Sequence, residues 1–251
     1  MSKNRDYKEF AAGEYYHVFN RGNDKIDIFR DAEDYLLLLQ RLREALYPPV
    51  QGHLLQVQKT GERYQRKVFP QKSFSLIAYC LMPNHFHLLI STPGEDLGKA
   101  MQTFIASVTR KINLKSGRTG RVFGARYHWS LIGSPNYYDN VLKYVYRNPV
   151  KGGLITTVQN YRYSSLGAIL ENTASWIQPP LGYEMNIPNN RKTEFLNWLN
   201  QPFGTEQEIA IKKGFLKPEF HPPKNRSDRK IPDFTGFNSK DALHIQKVSD
   251  T

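Results

Sequence analysis

The sequence predicts an α+β fold in which a ferredoxin-like βαββαβ unit forms an antiparallel sheet with helices on one face. Two observations support this prediction: four segments are β-prone, and two segments with helical periodicity separate them in the order strand, helix, two strands, helix, strand. A further helical segment follows the last strand. The strands are expected at residues 14–19, 74–81, 84–91 and 121–132, and the helices at residues 31–46, 96–114 and 134–148.

The first strand and helix have clear boundary signals. Residues 14–19 are β-prone, and the turn-forming run 20–23 follows them. Asp31 is a suitable N-cap, and the prolines at 48 and 49 end the helix. The polar segment 51–71 shows no clear period and is left unassigned between a short strand and a loop. Leucines at helical spacing form the apolar stripe of this helix: Leu36, Leu39, Leu42 and Leu46.

Later elements carry similar signals. Met82 and Pro83 separate two apolar strands, and the next helix has an apolar face that includes Met101 and Phe104. Ser134 and Pro135 resemble an N-cap followed by proline in the first helical position. Pro149 predicts a frayed helix end near residue 148, because a residue before proline disfavours the helical conformation.

The chain is expected to contain one domain with two appendages. Residues 1–170 hold the predicted sheet and its helices. Residues 171–215 form a helical extension, with short helices near 191–200 and 206–214, and another short helix is expected near 164–170. Residues 216–251 are rich in Pro, Lys, Arg and Asp without apolar periodicity, which predicts a basic, flexible tail.

Charge and composition indicate which kind of partner the chain binds and in which cellular compartment it is found. The net charge is +12 and the pI about 9.6, which favours a polyanionic partner. The single cysteine, Cys80, excludes an intrachain disulfide. The charged N-terminal residues lack an apolar signal segment, and no apolar run is long enough to cross a bilayer. These features predict a cytoplasmic protein without membrane contact.

Two histidines on one strand face are the first candidate site. Side chains alternate along a strand, so His85 and His87 should point one way and Phe86 the other, into the core. Neighbouring imidazoles on one face can bind a metal ion if a third ligand is nearby. A structural, hydrogen-bonded role is the alternative for either histidine.

A tyrosine and an asparagine on the third helix are the second candidate. Tyr144 and Asn148 are four residues apart, so they should project from one helix face. Tyr137, Tyr138 and Tyr146 are rivals of Tyr144 within two turns, and Asn148 has a competing role as a helix cap beside the proline.

Four motifs together resemble the REP-associated tyrosine transposases, which belong to the single-tyrosine HUH endonuclease superfamily. The motifs span residues 16–22 (YHVFNRG), 82–89 (MPNHFHLL), 144–151 (YVYRNPVK) and 161–165 (YRYSS). The resemblance covers about residues 15–170, which would make residues 1–170 the transposase or nuclease domain, and it is carried by the ordered set rather than by any one motif.

The resemblance implies a metal-dependent endonuclease and strand transferase. His85 and His87, with Asn148 as third ligand, would hold Mg²⁺ or Mn²⁺, and Tyr144 would attack a phosphate to give a 5′-phosphotyrosine. The substrate would be single-stranded DNA, often folded into a hairpin. Some relatives exchange the tyrosine helix between subunits, so a homodimer is possible.

Basic and aromatic residues are candidates for DNA contact. The segment 117–129 mixes glycine, arginine and aromatic residues, a composition that suits phosphate binding and base stacking. A turn with core aromatics is the alternative. The DNA-contact candidates are Arg21, Arg118, Arg121, Arg126, Tyr127 and Lys151.

Three other functions remain open from the sequence. The fold could serve as a DNA-binding regulatory module that no longer cleaves. The histidine pair could activate water in a metallo-hydrolase or ribonuclease, with no covalent intermediate. A zinc site built from Cys80, His17, His85 and His87 is also conceivable, although its spacing matches no familiar zinc motif.

Overall fold

The strands of the main sheet and their helices follow one another along the chain in the order that the sequence predicts. The computed structural model describes residues 13–46, 57–59, 62–64, 74–92, 97–133, 135–171, 173, 177 and 189–216. The strands are β1 (Tyr15–Arg21), β2 (Val57–Lys59), β3 (Glu62–Tyr64), β4 (Ser75–Met82), β5 (His85–Ser91) and β6 (His128–Leu131). The helices are α1 (Ala32–Leu46), α2 (Leu97–Ser116), α3 (Pro135–Lys151), α4 (Leu166–Glu171), α5 (Asn189–Asn200) and α6 (Thr205–Leu216).

The main sheet has the strand order β4-β5-β1-β6, and every neighbouring pair is antiparallel. Helices α1 and α2 make the two crossovers, so the ferredoxin-like α+β prediction is confirmed. Strands β2 and β3 form a separate two-stranded antiparallel sheet within the polar segment that has no clear period in the sequence. Among the described helices, none has the length and hydrophobicity needed to cross a membrane.

The even-numbered side chains of β5 form the core beneath α1 and α2. Phe86, Leu88 and Ile90 have no exposed surface, as the strand alternation predicts. The Phe86 ring packs edge-on against Phe104 of α2, with centroids 6.1 Å apart. Helices α1 and α2 also pack against each other. The even-numbered residues of β5 therefore pack the sheet against these helices, and the odd-numbered residues point to the opposite face.

Helix α3 packs on that opposite side, against β4 and β5. The residues 161–165 run beside the outer edge of β4, where the Tyr161 hydroxyl donates a hydrogen bond to the Leu81 carbonyl at 2.6 Å. The Leu81 amide in turn donates to the Tyr163 carbonyl. The fourth motif, residues 161–165, therefore covers part of the edge strand β4.

Two element boundaries differ from the sequence prediction. The last strand of the sheet covers only 128–131, because residues 117–127 form a loop with turns at the glycines 117 and 120, both of which have positive φ. Helix α3 continues through Pro149 to Lys151, so the predicted end near residue 148 is wrong. The amides of Gly152 and Leu154 donate to the carbonyls of residues 148 and 149, and Gly153 adopts a left-handed φ of 70°, a common way to end a helix.

The predicted helical extension packs on α3. Phe195 and Leu199 of α5 are buried, and the Arg147 guanidinium donates to the carbonyls of Leu199 and Asn200 at the end of α5. The ammonium of Lys143 lies 5.3 Å from the ring centres of both Trp198 and Phe203. Of the predicted tail, only Leu216, the last residue of α6, lies within the described residues.

Candidate active site

The histidine pair lies on the face of β5 that meets α3. His85 is half-buried and His87 almost fully buried, and their ring centres are 5.1 Å apart. His85 has an oxygen beside each ring nitrogen: Nδ1 is 2.5 Å from Asn84 Oδ1, and Nε2 is 2.9 Å from Asn148 Oδ1. The amide of Asn84 is fixed in this orientation because its Nδ2 donates to the Lys25 carbonyl.

His87 is bonded to a histidine from another strand. Its Nδ1 lies 2.9 Å from Nε2 of His17 on β1, and neither ring is significantly exposed. The two rings are inclined by 16°, with centroids 5.0 Å apart. Since the nitrogens are about 2 Å closer than the centroids, the contact joins the ring edges. For both histidines of the pair, Nδ1 therefore faces a fixed protein partner and Nε2 remains the nitrogen for a ligand.

Helix α3 brings Tyr144 and Asn148 to the same place, as the four-residue spacing predicts. The Tyr144 ring lies edge-on to His87 at 5.3 Å and to His17 at 6.1 Å. A hydrogen bond joins the Tyr144 and Asn148 side chains. Tyrosine, amide and both histidines thus come from one protomer. Asn148 lies inside the helix and contacts His85, so the alternative of a helix cap is wrong.

The rival tyrosines face other parts of the molecule. Tyr138 packs edge-on against Tyr15 at 5.4 Å, and Tyr146 is buried with its hydroxyl 2.9 Å from Ser165 Oγ. Tyr137 lies beside Ser130 on β6. Among the tyrosines described on α3, Tyr144 is the one placed against the histidine pair.

Burial and neighbouring groups shift the pKa of Tyr144 in opposite directions. Burial raises the pKa of Tyr144, and the Glu208 carboxylate of α6 raises it further. The hydrogen bond with Asn148 and the Arg21 guanidinium both lower that pKa. Glu208 is also 3.3 Å from the Lys151 ammonium. The balance favours the neutral phenol, so an ionised Tyr144 requires additional positive charge nearby.

Burial keeps the site histidines neutral. It lowers the pKa of His17 to about 3 and holds the pKa of His87 well below its usual value. For His85, burial again lowers the pKa, and the nearby Arg21 adds to this effect, while the bond to Asn148 opposes it. Neutral imidazoles are the form that binds metal ions.

Asparagine, histidine and tyrosine groups supply a donor set that suits a divalent cation. Cis ligands of an octahedral ion with bonds of about 2.1 Å lie roughly 3 Å apart, close to the 2.9 Å between His85 Nε2 and Asn148 Oδ1. Within the described residues, no three His, Cys, Asp or Glu side chains are grouped to hold a metal. The zinc alternative with Cys80 is therefore wrong, and a metal would need the Asn148 oxygen.

The predicted DNA-contact arginines lie beside this site. Arg21 is exposed and pairs in register with His85. The loop that carries Arg121 and Arg126, both exposed, is held against the end of β1, since the Gly124 amide donates to the Arg21 carbonyl at 3.1 Å. Arg118 is half-exposed just after α2. The basic loop, residues 117–126, thus adjoins the histidine pair.

Two other predicted contacts are placed differently. Tyr127 is only 5% exposed, so its ring belongs to the core and the base-stacking prediction is wrong for this conformation. Lys151 is exposed at the end of α3 and forms its ion pair with Glu208. Glu208 also acts on the pKa of Tyr144, so this ion pair lies on the side of α3 that carries Tyr144.

Three residues of the site were missed as site components by sequence reasoning. From sequence alone, His17 is a candidate only for the alternative zinc site, Asn84 is one residue of a motif, and Glu208 lies in a predicted short helix. The first two lie in segments that the resemblance singled out, which was the available signal. Glu208 had none, because its position depends on how α6 packs against α3.

Asp139, on α3, is expected to make stability depend on pH. Burial raises its pKa to about 7. A raised carboxyl pKa contributes stability below the unfolded value near 3.8, and this contribution is lost as the pH rises through about 7. Because one pKa unit corresponds to about 1.4 kcal/mol, Asp139→Asn should therefore raise the free energy of unfolding by up to about 4 kcal/mol at pH 8 and by little at pH 4. Guanidinium unfolding at both pH values measures this, and an equal effect at both would contradict it.

Comparisons with known proteins found transposases among the proteins that this chain is similar to. Residues 53–148 match the family model described as transposase IS200-like. A Haemophilus influenzae protein, provisionally named a REP-associated tyrosine transposase, is 30% identical over 103 residues, which cover 37% of this chain and 58% of that protein. A solved structure of a REP-associated tyrosine transposase bound to a REP hairpin aligns with a TM-score of 0.49 and 16% identity, covering 75% of this chain and 96% of the other.

Proposed function

We propose that this chain, which resembles the REP-associated tyrosine transposases, is a metal-dependent single-tyrosine endonuclease and strand transferase for hairpin DNA. The observation that carries the proposal is the placement of the Tyr144 ring 5.3 Å from His87, within one protomer. A nucleophile, a pair of neutral imidazoles and an amide oxygen meet there. This combination suits phosphoryl transfer through a covalent intermediate.

In the proposed reaction Tyr144 is the nucleophile. Its oxygen bonds to the phosphorus of the scissile phosphate while the bond from phosphorus to the 3′ oxygen breaks. The tyrosine proton leaves the hydroxyl, and the departing 3′ oxygen takes up a proton from solvent. The product is a 5′-phosphotyrosine and a free 3′-hydroxyl. A second 3′-hydroxyl can reverse the step and rejoin strands, because the phosphodiester energy is kept in the tyrosine ester.

His85, His87 and Asn148 would hold a divalent cation, Mg²⁺ or Mn²⁺. When bound, that ion would supply positive charge at the phosphate and favour ionisation of the tyrosine. Asn84 and His17 would orient the two imidazoles through their Nδ1 atoms. Three protein ligands leave coordination positions for phosphate oxygens. Arg21 adds a fixed positive charge next to His85.

Hairpin DNA would approach across the basic loop. Arg121 and Arg126 are exposed there, and the loop is bonded to the strand end beside His85. The net charge of +12 favours a polyanion in general. Phosphate contacts position a nucleic acid without reading its sequence, so the loop would orient the strand rather than select the target.

Replacing both loop arginines tests this approach. Arg121→Ala combined with Arg126→Ala should weaken hairpin binding and reduce the slope of log K against log salt by about 1.4 to 1.8, since each lost phosphate contact contributes about 0.7 to 0.9. Fluorescence anisotropy at several salt concentrations measures both. Arg43→Ala is the matched control, because Arg43 is exposed on α1, which packs on the far face of the sheet. An unchanged slope in the double variant would place the DNA elsewhere.

The proposed activity has a direct assay. The full chain is incubated with palindromic single-stranded DNA and Mn²⁺ or Mg²⁺, and a covalent protein–DNA adduct is sought by denaturing electrophoresis. We expect an adduct that needs the metal. Hairpin binding without an adduct under any tested condition would favour the non-cleaving regulatory module. Cleavage without an adduct would favour the water-activating hydrolase.

A further inference from the structure

The bond between His17 and His87 restricts where the protons of these rings lie. Two imidazole nitrogens 2.9 Å apart share one proton, because two N–H groups would clash and two lone pairs would repel. Either His87 Nδ1 donates and its Nε2 carries a lone pair, or His17 Nε2 donates and His87 Nε2 carries a proton. Only the first arrangement allows His87 to bind a metal through Nε2.

Asn84 contacts Nδ1 of His85 in the same way as His17 contacts Nδ1 of His87. Its Oδ1 can only accept, and it lies 2.5 Å from His85 Nδ1. Asn148 Oδ1, also an acceptor, lies 2.9 Å from Nε2, so a neutral ring can donate to only one of the two oxygens, and the shorter contact favours a proton on Nδ1. In that tautomer the Nε2 lone pair faces the Asn148 oxygen, a repulsion that a cation bound by both atoms would relieve. Both histidines of the pair therefore have a dedicated partner on Nδ1, one from the β4–β5 turn and one from β1.

We propose that His17 is a positioning residue that accepts the Nδ1 proton of His87 and so keeps His87 Nε2 available to a divalent cation. The inference rests on the proposed function, because it concerns the same metal site. His17 is fully buried, and the Phe19 ring lies 5.0 Å from it, inclined by 21°. Such packing fixes the acceptor. His17 also lies outside residues 53–148, the part matched by the family model.

A plain core histidine is the competing role. It would require only that the side chain fill its space, and a phenylalanine would then serve as well. The proposed role requires an acceptor at the position of Nε2. His17→Phe keeps the ring and removes the acceptor, whereas His17→Gln supplies an amide oxygen of similar reach. The two variants therefore separate packing from hydrogen bonding.

The first measurement is binding of Mn²⁺ alone to the full chain by titration calorimetry. We expect His17→Phe to raise the dissociation constant about 10- to 100-fold, and His17→Gln to recover most of the loss. His128→Phe is the control, because His128, like His17, stacks on the Phe19 ring, with centroids 5.2 Å apart. The Mn²⁺ affinity of this variant should stay near that of the parent chain. Equal loss in both His17 variants, or none in His17→Phe, would overturn the proposal.

A second measurement needs no metal. Nitrogen-15 spectra of the histidine rings report the tautomer of His87 in the metal-free chain, and we expect an Nδ1-protonated ring that becomes mixed in His17→Phe. An Nε2-protonated ring in the parent chain would overturn the role of His17. Absence of Mn²⁺ binding in the parent chain would instead overturn the proposed metal-dependent function. The two failures are thus distinguishable. Circular dichroism and thermal unfolding show whether each variant keeps its fold.

Discussion

Tyr144→Phe is expected to abolish the covalent adduct and to lower strand cleavage by more than about 10³-fold, since loss of the nucleophile removes the covalent route. The substitution deletes one hydroxyl and leaves the ring against His87 and His17. Hairpin binding should therefore change by no more than about two-fold. Denaturing electrophoresis with labelled DNA measures the adduct, and anisotropy measures binding.

Tyr146→Phe is the matched control for that experiment. Tyr146 is two residues away on the same helix, but it is 1% exposed and its hydroxyl bonds to Ser165. Its loss should cost about 1 kcal/mol of unfolding free energy and leave the adduct in place. An adduct that persists in Tyr144→Phe but disappears in Tyr146→Phe would assign the nucleophile to the buried position and contradict the proposed site.

The parts of the site that sequence could predict depend on local geometry. Strand alternation places His85 and His87 on one face, and helical spacing places Tyr144 with Asn148. Each inference needs only the period of one element. The buried stripe beneath them follows from the same alternation, since Phe86 lies between the two histidines and has no exposed surface.

The parts that sequence missed depend on register between distant segments. His17 and His87 meet because β1 pairs with β5 so that Phe19 lies opposite His87, a register that no local pattern fixes. The proline at 149 predicts a helix end by a local rule, yet α3 continues through it to Lys151 and ends at the glycines that follow. The aromatic loop predicted base stacking, and the tertiary fold buried Tyr127 instead.

His85→Ala is expected to abolish metal-dependent cleavage while hairpin binding stays within a few-fold of the parent chain. The side chain lies between two amide oxygens, those of Asn84 and Asn148, at the start of β5. Its removal would take away one of three proposed ligands and the group that holds the Asn148 oxygen. Mn²⁺ affinity, measured by calorimetry, should fall by at least about 100-fold, a larger loss than removal of an outer partner gives.

Cys80→Ala is the control for this variant. Cys80 is buried on β4 directly opposite His87, and the zinc alternative would require it as a ligand. With Asn148 as the third ligand, this substitution should leave Mn²⁺ affinity and cleavage near their parent values, at a modest cost in stability from the lost packing. If Cys80→Ala impaired metal binding as strongly as His85→Ala, the ligand set would extend onto β4, and the assignment of Asn148 would have to be abandoned. If His85→Ala cleaved as efficiently as the parent, the strand face shared with His87 would be structural, and Tyr144 would need another source of positive charge to ionise.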